Sequence, residues 1–139
     1  MKVFLGGTCN ESAWREQLID MLDIDYFNPV VDDWNEECYL REIKERKECE
    51  YCLYVITPLM TGVYSIAEVV DDSNKKPEKT LFCILDKDVT VDNMIVNFDE
   101  GQMRSLRRVG IMVENNGGHF FNTLKEVADF LNEKGKINA

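Results

Sequence analysis

Two stretches of the chain, Cys52-Leu-Tyr-Val-Ile-Thr57 and Leu81-Phe-Cys-Ile-Leu85, are almost wholly apolar instead of alternating. A strand with one face in water alternates, whereas an apolar run of this length fits a parallel sheet covered on both faces by helices. Parallel neighbours need long crossovers, and the sequence between the runs supplies them. Val3-Phe4-Leu5 reads as strand one, and Ser12 to Leu22 as a helix with Ala13, Leu18, Ile19, Met21 and Leu22 on its apolar side. Tyr26 to Val31 holds strand two and its exit. A charged helix follows from Glu36 to Cys49, with Tyr39, Leu40 and Ile43 as its inner stripe. Strand three, Cys52 to Thr57, leads to a helix over Ser65 to Ser73. After strand four, residues 86–109 are irregular, with a helical pattern within Asp99 to Arg108. Ile111-Met-Val113 reads as strand five. Thr123 to Glu133 reads as the last helix, opened by Thr123-x-x-Glu126, a capping-box pattern, and Lys134 to Ala139 as a frayed tail.

Strand–helix alternation implies right-handed βαβ units and a three-layer, doubly wound α/β architecture around a mostly parallel five-stranded sheet. The first two crossovers place strand one between strands two and three, a flavodoxin-like order. The chain has 139 residues and neither an internal repeat nor a low-complexity tract, so a single domain over 1–139 is expected.

A formal charge of −10 argues against a polymeric nucleic-acid partner, which needs a Lys/Arg surface. A single nucleotide remains compatible, because backbone N–H groups can hold it. No apolar run reaches membrane-spanning length and the N-terminus lacks a signal-peptide pattern, so no membrane contact and a cytoplasmic location are expected. Five cysteines, an odd number, favour free thiols. Cys49-Glu-Tyr-Cys52 is formally C-x-x-C, but it lies where a helix ends and a strand begins, the reverse of a redox-active site. The single histidine, His119, has no ligand pair at zinc spacing, so neither a metal nor a cofactor is expected, and it reads as a loop or packing residue.

Ligands of open α/β sheets bind outside the carboxyl ends of the strands. Three segments of the chain fall there. Gly6-Gly7-Thr8 follows strand one and lets backbone approach a phosphate or sugar oxygen, although Thr8-x-x-Glu11 also fits a capping box. Asp32-Asp33-Trp34-Asn35 follows strand two; its acids suit ribose hydroxyls and its indole a base, or else Asp33 or Asn35 caps the next helix. The third is Pro58 to Glu68, a loop containing Gly62, then Tyr64, Ser65 and a glutamate. Ser65-x-x-Glu68 again matches a capping box. In the alternative, a helix N-terminus keeps Glu68 ionised, Tyr64 orients it by a hydrogen bond, and it attacks an anomeric carbon.

Phe4-Leu-Gly-Gly-Thr8, Trp14, Asn28-Pro-Val-Val-Asp-Asp-Trp34 and Tyr54-Val-Ile-Thr-Pro58 through Gly62-Val-Tyr-Ser-Ile-Ala-Glu68 together resemble the nucleoside 2-deoxyribosyltransferase-like proteins, clearly over residues 2–85 and loosely beyond. The resemblance implies a flavodoxin-like fold and cleavage of the N-glycosidic bond of a deoxyribonucleoside or its monophosphate. It casts Glu68 as nucleophile, with Gly6, Gly7 and Thr8 in the nucleotide pocket and Asp32 and Asp33 as contacts to sugar or base. Trp34, Asn35, Gly62 and Ser65 are further substrate-binding candidates. It also implies a homo-oligomer in which a neighbour completes the pocket; Asn93 and Asn97 are guesses for that contribution. One departure stands out. Characterised transferases carry an acid in the loop before the nucleophile, where Pro58 to Tyr64 has none. Asp33 or Asp32 is the expected substitute. Without one, the chain binds nucleotides without cleaving them, as a sensing or sequestering module. A flavin-carrying electron-transfer protein is a third, weaker reading of the fold.

Overall fold

A computed structural model describes residues 1–137; Asn138 and Ala139 of the expected tail lie outside the described residues. Its elements are β1 (Lys2–Gly7), α1 (Trp14–Ile19), β2 (Asp25–Phe27), α2 (Glu36–Glu48), β3 (Tyr51–Ile56), α3 (Tyr64–Lys75), β4 (Thr80–Ile84), β5 (Lys87–Val89), β6 (Ile95–Asn97), α4 (Glu100–Asn115), β7 (His119–Phe121) and α5 (Leu124–Ile137). Five strands form one sheet in the order β2-β1-β3-β4-β7, and every pairing is parallel. The flavodoxin-like order expected from the crossovers is the one observed. A separate antiparallel hairpin, β5–β6, lies outside this sheet.

Period-two alternation of the central strands divides the core into two layers. Val3, Leu5, Leu53, Val55 and Leu81 point to one face and pack with Trp14 and Leu18 of α1 and Val127 and Leu131 of α5. Phe4, Tyr54, Ile56, Phe82 and Ile84 point to the other and pack with Val69 of α3 and Leu106 and Val113 of α4. Because both faces are covered, β3 and β4 needed apolar residues at nearly every position. Each fully buried large aliphatic or aromatic side chain contributes about 1.5–3 kcal/mol.

The second half departs from expectation. Ile111 and Val113 lie in α4, not in a strand. Leu106, Gly110 and Val113 recur at helical spacing and form the buried stripe of α4. Asp99 starts the helix with a full capping box: its carboxylate accepts from Gln102 N at 2.7 Å, and the Gln102 side chain accepts from Asp99 N at 2.9 Å. The fifth strand is instead His119–Phe121, beside β4. The His119 ring is tilted against the Phe130 ring, their centroids 4.7 Å apart, as in a packing residue. The tail expected to fray is helical through Ile137. In the first half, α1 and β2 are shorter than expected, with Met21 and Tyr26 exposed.

The stripe expected on α2 also needs correction. This helix buries no residue, and Tyr39, Leu40 and Ile43 are all exposed. Its C-terminal half is tied to β1, β3 and α3 through Glu45 and Arg46, and it lines a crevice together with α3.

Candidate active site

The crevice has a volume of about 490 Å³ and lies over the carboxyl end of β1. Its floor is Phe4, Gly6 and Gly7; Pro29, Val30, Val31 and Trp34 wall it from the β2 exit. From α2 come Tyr39, Glu42, Ile43 and Arg46, spaced i, i+3, i+4, i+7 and therefore on one helical face. The true inner stripe of α2 thus faces this crevice and includes two charges. Opposite, α3 presents Tyr64, Ser65 and Glu68.

Glu68 sits one turn inside α3, and no acid occupies the first turn. The expected Ser65–Glu68 capping box does not form, since Val63 is the N-cap residue and no side chain caps the helix. Its carboxylate is therefore not folded back onto the main chain. It pairs with Arg46, Nε to Oε2 at 3.6 Å. The expectation that the helix terminus holds Glu68 ionised is corrected too. Burial pushes the carboxyl above the ordinary glutamate range; Arg46 partly offsets this, while Asp72 and Glu42 reinforce it. One turn in, the dipole is too weak to outweigh lost hydration.

Tyr64, Glu68 and Asp72 follow each other at i+4 spacing, from the exposed mouth to a buried end. Tyr64 is exposed, and its hydroxyl finds no hydrogen-bond partner among the described residues, so Arg46 takes the orienting part expected of it. Asp72 is 3% exposed. It accepts from Arg46 Nη2 at 2.7 Å and from the Tyr54 hydroxyl at 2.5 Å, and Arg46 Nε donates to the Tyr54 oxygen at 2.9 Å. Burial works against the Arg46 cation, yet Asp72 and Tyr54 outweigh it and raise its pKa. Arg46 is thus a fixed cation beneath Glu68.

Gly7 has φ 115°, and a Cβ there would overlap the Val55 carbonyl. The close approach of β1 to β3 alone requires glycine at this position, whatever binds above it. Thr8 is turned inward: its hydroxyl accepts from Thr57 N at 3.0 Å, so Thr8-x-x-Glu11 is not a capping box. Helix α1 begins only at Trp14, so the glycines do not abut a helix N-terminus. Arg15 lies beneath them, buried and lining the crevice, and donates to the carbonyls of Leu5, Thr8 and Gly7 at 3.1, 2.7 and 3.3 Å. Burial lowers its pKa to about 10.

Among the expected binding residues, Gly6, Gly7, Trp34, Tyr64, Ser65 and Glu68 line the crevice together. Thr8, Asp32, Asp33, Asn35 and Gly62 do not. Asn35 instead caps α2, accepting from Cys38 N at 3.0 Å. Asn93 and Asn97 belong to the β5–β6 hairpin region, away from the lining. Glu42, Arg46 and Arg15 were missed by sequence reading; the 39–42–43–46 spacing on α2 was the available signal. Cys49 and Cys52 are buried, and burial pushes their thiols up to about 12 and about 11, the opposite of a redox-active pair. Among the described residues no helix is long and apolar enough to cross a membrane.

A flavodoxin-like α/β sheet with a carboxylate-bearing crevice at its strand ends has that crevice where open α/β sheets bind their ligands. The family profile described as Nucleoside 2-deoxyribosyltransferase like matches residues 1–87, a segment spanning β1 to β4 with every crevice residue. The chain belongs to this family. Comparisons with curated proteins and with solved structures give no match.

Proposed function

We propose that the protein cleaves the N-glycosidic bond of a 2′-deoxyribonucleoside or its 5′-monophosphate through a covalent intermediate on Glu68. The observation that carries this reading is the placement of Glu68: half-buried, held by Arg46, uncommitted to helix capping, and facing a crevice of about 490 Å³. The volume lies in the ordinary range for small-molecule sites. Its walls offer an indole and aliphatic side chains to a base, and its floor offers glycine backbone to a sugar. A Glu68 oxygen attacks C1′, the C1′–N bond breaks, and its electron pair leaves with the base as a proton is delivered to it. Water, or a second base, then displaces Glu68 from C1′.

Apolar side chains rim the mouth: Val30, Val31, Trp34, Tyr39 and Ile43 are all exposed. We take the working form to be a homo-oligomer in which a second copy covers this rim.

Incubating the protein with the four deoxynucleosides and their monophosphates, with and without a second free base, tests the reading. Base release or exchange is expected, and Glu68→Gln abolishes it. Absence of both at high protein concentration contradicts it. The carboxylate-free loop before α3 favours a second reading, a module that binds nucleotides without consuming them. In that case Glu68→Gln retains binding and the wild type shows no turnover.

A further inference from the structure

The crevice contains a second carboxylate. Glu42 projects from α2 and Glu68 from α3, and no other aspartate or glutamate lines the space between them. The two act on one another electrostatically across it. Asp32 and Asp33 are exposed on the turn that follows β2, outside the lining. Two facing carboxyl groups in unlike surroundings can divide the work of glycosidic cleavage.

We propose that Glu42 is the acid that protonates the departing base and then the base that deprotonates the attacking water, a role that rests on the glycosidic-cleavage reading. In the first step the C1′–N electron pair passes to the base, which takes the carboxyl proton of Glu42 while Glu68 bonds to C1′. In the second, water bonds to C1′, its proton returns to Glu42, and the C1′–Glu68 bond breaks. Both residues end as they began. The sum is nucleoside plus water giving 2-deoxyribose plus base.

Burial raises the pKa of both carboxyls, and what distinguishes them is the cation at contact distance. Glu68 lies 3.6 Å from the Arg46 guanidinium, whose charge opposes the effect of burial and favours the ionised form. Glu42 makes no ion pair among the described residues. Burial is the largest influence on it and favours its protonated form; the Trp34 indole and the more distant Arg15 cation oppose this in part. The groups facing Glu42 are therefore Trp34 from the β2 exit, Arg15 from α1 and Glu68 from α3. Placing the proton on Glu42 and the charge on Glu68 gives the arrangement that the first step needs.

The test compares wild type, Glu42→Gln and Glu68→Gln in single-turnover experiments. The substrates are the deoxynucleoside that the wild type cleaves fastest and 4-nitrophenyl 2-deoxyriboside, whose phenolate departs without a proton. Glu42→Gln is expected to slow release of the base by about 10²–10⁴-fold. It should retain the first-turnover burst of nitrophenolate, and it should lack the alkaline limb of the wild-type pH profile. Glu68→Gln is expected to abolish both reactions. Release of the base by Glu42→Gln at the wild-type rate, equal losses on both substrates, or an alkaline limb retained in the variant overturns the assignment to Glu42 and leaves the cleavage reading standing. A wild type that cleaves neither substrate removes that reading and the Glu42 role together, and Glu68→Gln then has nothing left to abolish.

Discussion

Arg46 decides the character of the site, because one guanidinium serves a buried carboxylate, a buried phenol and the nucleophile candidate. Removing it leaves Asp72 buried with only the Tyr54 hydroxyl. Arg46→Met should therefore lower stability by about 3–5 kcal/mol, read as a drop in the midpoint of denaturant unfolding. Tyr54→Phe removes two hydrogen bonds, the one to Asp72 and the one from Arg46, and leaves Asp72 paired with Arg46, so about 1–3 kcal/mol is expected. The pH dependence follows from the Glu68 surroundings. Its folded pKa is raised, so the folded state holds the proton more tightly than the unfolded chain. Its contribution to stability then falls as pH rises from the ordinary glutamate value, about 4.3, through the raised folded value. Activity needs the ionised form and rises over the same window. The acid limb of kcat/KM should accordingly lie above the ordinary glutamate value. A limb at or below that value would show that burial does not govern Glu68.

Patterns that span an element were readable, and those that depend on how two elements meet were not. Continuous apolar runs announced β3 and β4, and strand–helix alternation gave the sheet order. Ile111-Met-Val113 misled because three apolar residues fit a strand and one turn of a buried helix equally well. Asp99-x-x-Gln102 and the 106–110–113 spacing hold the answer. Glu68 was legible from its place after β3. Glu42 and Arg46 were not, since a charge-rich helix reads as a solvated surface until a neighbour is known to face it. The α4–β7 contact can be tested separately from the site. A Cβ on Gly110 would lie 2.5 Å from the Phe120 ring, so Gly110→Ala should destabilise by about 1–3 kcal/mol. Nucleoside binding by the folded fraction should be unchanged. A neutral effect on thermal unfolding would mean that α4 sits farther from β7 than described.

For the whole molecule, the sheet supplies the frame, and the crevice lies over the end of β1 between side chains of α2 and α3. A ligand that fills the space and binds only the folded state raises stability by about 2.7 kcal/mol at a hundredfold excess over Kd, a rise in Tm on the order of 10 °C for a chain of this size. The exposed rim predicts a sedimentation mass at least twice the 16.1 kDa of one chain, reduced to that of one chain when Trp34 and Ile43 are both replaced by Asp. A wild type that sediments at the mass of one chain would leave the rim uncovered. The claim on which the rest depends is that a Glu68 oxygen bonds to C1′. Intact-mass measurement after incubation with 2′-deoxy-2′-fluoroarabinosyl nucleosides, whose fluorine slows release of the sugar from the enzyme, tests it directly. One added fluorinated sugar per chain is predicted, located on Glu68 by peptide mapping and lost in Glu68→Gln. An unmodified mass in a preparation that releases base from natural deoxynucleosides, or an adduct on any other residue, would contradict it.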